Sequence, residues 1–259
     1  AQIRRLVTWL PANNEDDASY DECMDDLNRS CAELQGVQYS APFILSTISD
    51  GKEFFETKAD YAKDMVTGFI RLNGVTVGAV ANGEQEMSAR GAQKAADFVN
   101  FCDAFNIPVL TVTNVKGYKA SLCSERNLAK AAARLTYAFA NATVPKVNVI
   151  AGEAFGSAYV TMNSKGLGAD LVFAWKNAKI GMMDARMAAK VMYADADAQT
   201  QSEKAKEYAA LQDSVEAAAR RGYVDAVIDA ADTRKQVIGA FEMLFTKREG
   251  RPDKKHGTV

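Results

Sequence analysis

The feature that most constrains the fold is a recurring unit of an apolar strand, a loop of small or polar residues, and a helix. The strands of these units are predicted at Val75–Ala81, Pro108–Thr113, Val147–Ala151, Leu171–Trp175 and Ile180–Met183. The helices are predicted around Ala95–Phe105, Leu122–Ala142, Ala158–Ser164, Ser202–Arg220 and Thr233–Lys247. Strands that alternate with crossover helices indicate a parallel or mixed sheet covered on both faces. The sequence therefore predicts an α/β fold.

One pair of strands is joined by a tight turn instead of a helix. Asn73 and Gly74 separate the apolar runs Gly68–Leu72 and Val75–Ala81. Both turn residues tolerate a positive φ, which makes Asn-Gly between two apolar runs the strongest short-range hairpin signal. We therefore expect a hairpin that turns at these two residues.

The chain is predicted to be a single domain, with a helical preface over residues 1–40 and a core over about 41–259. Asn13 is a candidate cap for the preface, and apolar residues follow it at helical spacing: Tyr20, Cys23, Met24, Leu27, Cys31 and Leu34. The segment Phe43–Ile48 fits either a strand or a helix. No linker rich in Pro, Gly or Ser divides the chain.

Charge and composition exclude several classes of protein. With 31 Lys and Arg against 33 Asp and Glu, the net charge of -2 argues against nucleic-acid binding. No apolar run approaches the roughly 18 residues of a membrane helix, so we expect no direct membrane insertion. The cysteines are scattered, without a CxxC pair, at Cys23, Cys31, Cys102 and Cys123. Buried free thiols in a reducing, cytoplasmic protein fit this pattern.

The single histidine excludes further chemistry. His256 lies in the charged C-terminal tail, so a Ser-His or Cys-His couple inside the core and a histidine-rich metal site are both excluded. We expect no metal. The sequence contains neither a GxxxxGK[ST] loop nor a GxGxxG turn after a strand, and it has no GxSxG elbow.

Two glycine-containing turns that lead from a strand towards a helix remain, Asn114–Tyr118 and Gly152–Tyr159. In the second, small residues at Gly156, Ser157 and Ala158 allow a ligand to approach the backbone closely. The first N–H groups of a helix have no partner inside it, so this turn could hold an oxyanion such as a developing enolate. Small residues at a helix start also serve plain close packing, and the two interpretations stay open. Asp184 and Arg186 are interpreted as a salt-bridged helix start.

A series of short segments, in order, resembles a known family. It comprises Phe54–Glu56, Asp60–Lys63, Gly68–Gly74, Val80–Asn82, Lys94–Phe98, Phe101–Pro108, Ala142–Lys146, Ala154–Tyr159, Met162–Lys165, Gly168–Asp170, Ala174–Trp175 and the tail Lys254–Gly257. The set resembles the carboxyl-terminal half of the carboxyltransferase subunit of biotin-dependent acyl-CoA carboxylases. Sodium-pumping methylmalonyl-CoA and glutaconyl-CoA decarboxylases share that subunit. The resemblance covers essentially the whole chain.

The resemblance implies a crotonase-like (ClpP/crotonase) fold, a spiral of strand–strand–helix units. A full subunit of this family has two such domains. The amino-terminal one mainly holds acyl-CoA, and the carboxyl-terminal one mainly holds biotin, which arrives on a separate carrier protein. The resemblance therefore implies an enzyme component with acyl-CoA as substrate. Its partners would be an acyl-CoA-binding half and a biotin carboxyl carrier protein, in a homo- or hetero-oligomer whose active site forms across a dimer interface.

The resemblance also implies roles for individual residues. The backbone N–H groups of Ser157 and Ala158 would bind the biotin urea oxygen and stabilise the charge left as CO₂ departs. Val160 matches a position that influences the choice of acyl group. The remaining biotin-binding positions implied by the resemblance are Phe155, Gly156, Tyr159, Asn114, Gly117 and Tyr118.

Several positions depart from the family pattern. Ser157 replaces a second glycine, and Gly152-Glu153 replaces an Arg-Lys pair. The loop Asn114–Ser121 replaces an Asp-x-Pro-Gly-Phe loop, and Lys130-Ala-Ala-Ala replaces an Arg-His-Gly-Ala motif. These changes keep a second hypothesis open, a non-catalytic assembly subunit of such a complex. A third, a stand-alone hydratase or isomerase, would need a glutamate acid/base, for which Glu125 and Glu153 are the candidates.

Overall fold

The computed structural model describes residues 2–36 and 38–250, without the side chain of Cys123. Its strands are β1 (Phe55–Thr57), β2 (Met65–Leu72), β3 (Val75–Asn82), β4 (Glu86–Met87), β5 (Val109–Val115), β6 (Gly117–Tyr118), β7 (Lys146–Phe155), β8 (Leu171–Trp175), β9 (Lys179–Gly181) and β10 (Ala226–Ile228). Its helices are α1 (Gln2–Val7), α2 (Ala41–Ile48), α3 (Ala89–Ala104), α4 (Leu122–Asn141), α5 (Gly156–Thr161), α6 (Ala185–Met192), α7 (Ala198–Tyr208), α8 (Val215–Arg220) and α9 (Thr233–Leu244). The tail with His256 lies outside the described residues.

The strands form one mixed sheet. Its order is β1-β2-β3-β5-β7-β8-β10, and β9 pairs with the end of β7. The pairs β1–β2 and β2–β3 are antiparallel, whereas β3, β5, β7, β8 and β10 run parallel. The short strands β4 and β6 pair separately, in parallel, beyond the carboxyl ends of β3 and β5. The predicted alternation of strands and crossover helices is therefore confirmed.

Both faces of the sheet are covered by apolar side chains. Successive residues of a strand point to opposite faces, so Val109 of β5 packs towards α3 and α4 while Leu110 packs towards α2 and α9. The same division holds for Val172 and Phe173 of β8. Burial on both faces explains why the sequence shows near-continuous apolar runs for these strands.

The hairpin prediction is confirmed. Residues Met65–Leu72 pair antiparallel with Val75–Asn82, and Asn73 and Gly74 both adopt a positive φ. The ambiguous segment around Phe43 is helix α2, with Pro42 in its first turn, where a missing N–H costs nothing.

Most of the predicted helical preface is wrong. Apart from α1 and a 3-10 turn at Ala32–Leu34, the described part of residues 1–40 is not helical. Tyr20 instead bridges to Val75, and Thr76 donates its N–H to the carbonyl of Ser19 at 2.8 Å. This edge of β3 is free because β5 pairs with β3 only from Gly78 onwards. Backbone hydrogen bonds to the sheet thus override the helical spacing of the side chains.

Two further boundaries differ from the prediction. The helix expected over Ser202–Arg220 is divided into α7 and α8 by a π-helical turn, Ala209–Asp213. A new helix begins after this turn because the Ser214 side chain caps α8 by accepting the N–H of Ala217. Gly152, expected in a loop, lies within β7, because β7 continues past β8 to pair with β9. Each helix in the described part of the chain is too short or too polar to cross a bilayer.

Candidate active site

The carboxyl ends of β3, β5 and β7 are joined by asparagine side chains. Asn82, at the end of β3, accepts the backbone N–H of Asn114 through Oδ1 at 3.0 Å. Asn114 in turn accepts the backbone N–H of Glu153 through its own Oδ1 at 2.9 Å. Both asparagines are buried. These bonds hold the Asn114–Tyr118 loop against the strand that leads into the Gly152–Tyr159 turn, so the two predicted turns lie at one site.

The strand before the turn has no room for a side chain at Gly152. A Cβ there would lie 2.5 Å from the Asn114 Oδ1. The next residue, Glu153, forms an ion pair with Lys116 at 3.2 Å and accepts a hydrogen bond from the Gln85 side chain at 3.0 Å. The charge that replaces the family's basic pair is thus matched by a lysine from the neighbouring loop.

The turn itself is built on Gly156. Its φ of +62° lies in the left-handed region, and a Cβ would lie 3.1 Å from the carbonyl oxygen of Met182. Helix α5 begins at this glycine, and the preceding Phe155 makes no side-chain cap bond. Ser157 and Ala158 are the next two residues, so their N–H groups belong to the first turn and have no acceptor inside the helix. Two helix-start N–H groups without an acceptor inside the helix are therefore present at this turn, and their role as oxyanion donors stays a prediction.

The second loop contacts the same helix. Gly117 and Tyr118 form β6, which pairs with β4. The Tyr118 hydroxyl and the Thr161 hydroxyl of α5 share a hydrogen bond of 2.7 Å. Burial raises the pKa of Tyr118 above its ordinary value. Burial likewise raises the pKa of Tyr159 to about 12, so both phenols stay protonated at neutral pH.

The residues predicted to bind biotin or select the acyl group differ in exposure. Ser157 and Val160 are exposed, and Gly117, Tyr118 and Gly156 are half-buried. Asn114, Phe155, Ala158 and Tyr159 are buried. In this arrangement Asn114 supports the backbone of β7, and Phe155 packs beneath the turn. Their contact with a ligand stays a prediction.

The remaining predicted residues have structural partners or lie apart. Asp184 caps α6 by accepting the N–H groups of Arg186 and Met187 at 3.0 and 3.4 Å, so its carboxylate serves the helix start directly. Glu125 is exposed in the first turn of α4. Within residues 2–36 and 38–250, no group of three or more His, Cys, Asp or Glu could hold a metal ion.

Asp213, which the sequence analysis did not single out, lies beneath this site. The residue is 4% exposed, and its Oδ1 has no hydrogen-bond partner among the described residues. A Cβ at Gly181 would lie 2.8 Å from that oxygen and 3.5 Å from the Phe155 ring. The only signal in the sequence is an acidic residue between an apolar run and a serine helix cap, which is too common a pattern to indicate burial.

Comparison with solved structures gives close matches. The transcarboxylase 12S subunit, solved as a hexamer assembly with hydrolysed methylmalonyl-coenzyme A bound, superposes with a TM-score of 0.92 at 38% identity, covering 99% of this chain and 53% of that one. The β subunit of Pseudomonas aeruginosa geranyl-CoA carboxylase superposes with a TM-score of 0.77 at 25% identity, covering 98% of this chain and 52% of that one. These matches confirm the predicted crotonase-like fold.

Sequence comparisons agree. The methylmalonyl-CoA carboxyltransferase 12S subunit of Propionibacterium freudenreichii subsp. shermanii is 39% identical over 98% of this chain and 52% of its own length. A putative propionyl-CoA carboxylase beta chain of Bacillus subtilis is 40% identical over 99% of this chain and 54% of its own length. The chain thus spans about half the length of these relatives. The carboxyl transferase domain profile matches residues 1–259, and the chain belongs to the carboxyl transferase family.

Proposed function

We propose that this chain is the biotin-side, carboxyl-terminal half of an acyl-CoA carboxyltransferase or decarboxylase. It works with an acyl-CoA-binding partner half and transfers a carboxyl group between acyl-CoA and biotin held on a carrier protein. The observation that carries the proposal is the turn at Gly156, whose backbone supplies two helix-start N–H groups in a chain that matches the family along its whole length.

The turn and the neighbouring loop leave space beside their backbone for a ligand. A Cβ at Gly117 would meet no atom within 4 Å, and Ser157 on the facing turn is exposed. Biotin, when bound, supplies the nitrogen that carries the carboxyl group. The N–H groups of Ser157 and Ala158 donate to the urea oxygen, on which negative charge grows as the carboxyl group leaves. Val160 is exposed on the same helix and matches the family position that influences which acyl group is accepted.

A preorganised donor acts on the transition state more than on the ground state, and its loss lowers the rate by roughly 10²–10³-fold in other oxyanion holes. Ala158→Pro deletes one N–H, whereas Ala158→Gly keeps it. We expect transfer to fall about a hundredfold in the first variant and to remain in the second, with both chains folded by circular dichroism. Equal turnover in the two folded variants would contradict the oxyanion assignment.

The partners are tested by isolating the tagged chain from its native extract. Mass spectrometry should identify an acyl-CoA-binding half, and a streptavidin blot should detect a biotinylated carrier. The recovered complex is then assayed with malonyl-CoA and methylmalonyl-CoA, with and without added biotin. Transfer that depends on biotin supports the proposal. Acyl-CoA turnover that is unaffected by biotin would instead favour a hydratase or isomerase.

One observation favours a second candidate, a non-catalytic assembly subunit. The Glu153 carboxylate stands two residues before Phe155, where the family has basic residues, and it is held there by Lys116 and Gln85. Because Lys116 pairs with Glu153, the turn lacks the net positive charge of the family's basic pair, which would favour the build-up of negative charge on a bound oxygen. Recovery of a carboxylase partner without any biotin signal, and without transfer activity, would establish this function in place of the first.

A further inference from the structure

Asp213 occupies an unusual position in the chain. It is the last residue of the π-helical turn Ala209–Asp213, which separates α7 from α8. Turns of this type are rare and occur frequently at functional sites. The carboxyl group is buried, and its Oδ1 has no hydrogen-bond partner among the described residues. A buried polar atom without a partner is uncommon in proteins and calls for an explanation.

The carboxyl group of Asp213 lies directly behind the turn that is built on Gly156, which is called the candidate turn below. Its Oδ1 packs against Gly181, the last residue of β9, which is in register with Phe155 at the end of β7. The carbonyl oxygen of the next residue, Met182, lies 3.1 Å from the position of a Gly156 Cβ. A short chain of contacts therefore leads from Asp213 through Gly181 and Met182 to the glycine on which the oxyanion donors are built.

Asp213 also lies at the base of the hairpin formed by α6 and α7. The backbone N–H of Ala185, the first residue of α6, lowers the pKa of the Asp213 carboxyl group. The two helices pack together through small side chains, Ala185, Ala189 and Ala205. Because α6 begins only three residues after Met182, a displacement at its start also displaces the Met182 carbonyl. The hairpin and the segment against the turn are thus mechanically joined.

Two charged side chains act on this carboxyl group. Asp184, at the start of α6, repels its anion, and Lys179, in β9, attracts it. On the β7 side, the apolar Phe155 ring packs near the same Gly181 position, 3.5 Å from where a Cβ would lie. Burial first, and then Asp184, raise the pKa of Asp213 to about 6, while Lys179 and the Ala185 N–H oppose the rise. Loss of the proton places a buried anion beside a second carboxylate. The desolvation of the anion and the repulsion between the two carboxylates both decrease when the start of α6 moves outward.

We propose that Asp213 is a positioning residue whose protonation state sets the placement of the Gly181–Met182 segment and the α6–α7 hairpin against the candidate turn. When Asp213 is protonated, the Met182 carbonyl oxygen lies against Gly156, so its partial negative charge stands close to the turn. When Asp213 is ionised, the segment moves away and the donors become better able to hold an anion. The role in transfer rests on the proposed function; the positioning itself does not.

The positioning is tested by hydrogen–deuterium exchange on the full chain between pH 4.5 and 8, corrected for the intrinsic pH dependence of exchange. Peptides covering Gly181–Met192 should exchange faster as the pH rises through about 6. The increase should be severalfold and at most about a hundredfold, because a displacement of about two pH units in the titration limits the coupling to that factor. Asp213→Asn, which mimics the protonated acid, should stay protected throughout.

Two variants serve as matched controls, because they should shift the midpoint of the exchange transition in opposite directions. Asp184→Asn keeps the helix cap, since asparagine caps as well as aspartate, but removes the neighbouring charge. It should move the midpoint of the wild-type transition to lower pH. Lys179→Gln removes the attracting charge and should move the midpoint to higher pH. These shifts distinguish a titrating carboxyl group from a purely structural one, and they keep the test decisive if Asp213→Asn fails to fold.

The activity of the complex isolated with this chain separates the two proposals. Transfer should fall below about pH 6 in the wild type, with a midpoint that follows the exchange midpoint in the Asp184 and Lys179 variants. Exchange that shifts as expected, without transfer at any pH, would remove the proposed function and leave the positioning role. Flat exchange and unmoved midpoints, with transfer present, would overturn the role of Asp213 and leave the proposed function.

Discussion

The side chain of Asn114 supports the backbone of Glu153: its Oδ1 accepts the Glu153 N–H at 2.9 Å across the gap between β5 and β7. The ladder between these strands is irregular here, since the register shifts between Thr113 and Val115. The asparagine amide replaces a backbone partner that the shifted register removes. It thereby fixes the direction in which β7 enters the Gly156 turn.

Asn114→Ala should therefore destabilise the fold and loosen the turn. The Glu153 N–H, in a half-buried strand, would lose its partner, which costs about 1–3 kcal/mol. Urea denaturation measures the change. Asn114→Asp keeps the acceptor oxygen but adds a charge near the Glu153 carboxylate, so an acidic buffer should bring its stability close to that of the wild type. A loss below about 0.5 kcal/mol for the alanine variant would show that the bond is dispensable.

Gly156 and Gly239 form a matched pair for testing the turn. Gly156→Ala places a Cβ on a residue with φ of +62° and 3.1 Å from the Met182 carbonyl, so we expect a loss of about 1–2 kcal/mol. Gly239 lies exposed within α9, and a Cβ there would meet nothing within 4 Å. Gly239→Ala should instead stabilise the helix by about 0.5–1 kcal/mol. Thermal unfolding of both variants checks the signs, and the same sign for both would contradict the geometry.

The sequence predicted well those parts of the fold that local chemistry determines. The positive φ that Asn73 and Gly74 tolerate specifies the hairpin, and the long apolar runs specify strands buried on both faces. The preface could not be predicted in this way. Tyr20 follows a helical spacing, but the free edge of β3 that it joins is created by the starting point of β5, which is distant in sequence.

The candidate site shows the same limit. The turn at Gly156 was found from its small residues and from the family resemblance, and the structure brings Tyr118 to the same helix. The burial of Asn114 and the pairing of Glu153 with Lys116 depend on tertiary contacts that no local pattern encodes. Asp213 is the clearest case, because an aspartate between an apolar run and a serine helix cap gives no sign that its carboxyl group packs against Gly181.

Arg234 provides a further test, on the stability of the amino-terminal segment. Its side chain is fully buried, donates to the Ile48 carbonyl at 2.7 Å and pairs with Asp50 at 2.7 Å. Arg234→Ala would leave the Asp50 carboxylate without its cation, which costs about 3–5 kcal/mol for a buried pair. The exposed pair of Lys176 and Asp229, at 2.8 Å, is the control. Lys176→Ala should cost less than about 1 kcal/mol in the same urea titration.

Ser157→Gly tests whether the side chain that replaces the family's glycine obstructs the turn. The Ser157 side chain is exposed beside the donors, and glycine retains the backbone N–H. If the hydroxymethyl group crowds the ring, biotin-dependent transfer by the isolated complex should rise severalfold. The improvement should come from a lower KM for biotin. A fall in kcat would show that the hydroxyl itself takes part in binding. Ser164→Gly, three residues after the end of α5, removes the hydroxyl that donates to the Val160 carbonyl and controls for a general effect on the helix.

The pKa of Asp213 also predicts how stability depends on pH. Because the folded state raises it from the ordinary 3.8 to about 6, the folded chain binds this proton more tightly than the unfolded chain does. Proton binding at Asp213 therefore adds to the free energy of unfolding, and this contribution is complete below about pH 3.8. It is lost as the pH rises through 6, and the total loss is at most about 3 kcal/mol.

Asp213→Asn removes this titration, so the variant should gain stability relative to the wild type between pH 4.5 and 7.5. Urea denaturation at the two pH values measures the gain. As a control, Asp229→Asn, at an exposed site, should change the free energy of unfolding by less than about 1 kcal/mol at both pH values. If the gain from Asp213→Asn is the same at pH 4.5 and 7.5, the carboxyl group does not titrate in this range, and its burial is tolerated by another means. A gain that grows with pH ties the cost of ionisation to the contact of Asp213 with Gly181, and so to the turn that Gly181 and Met182 flank.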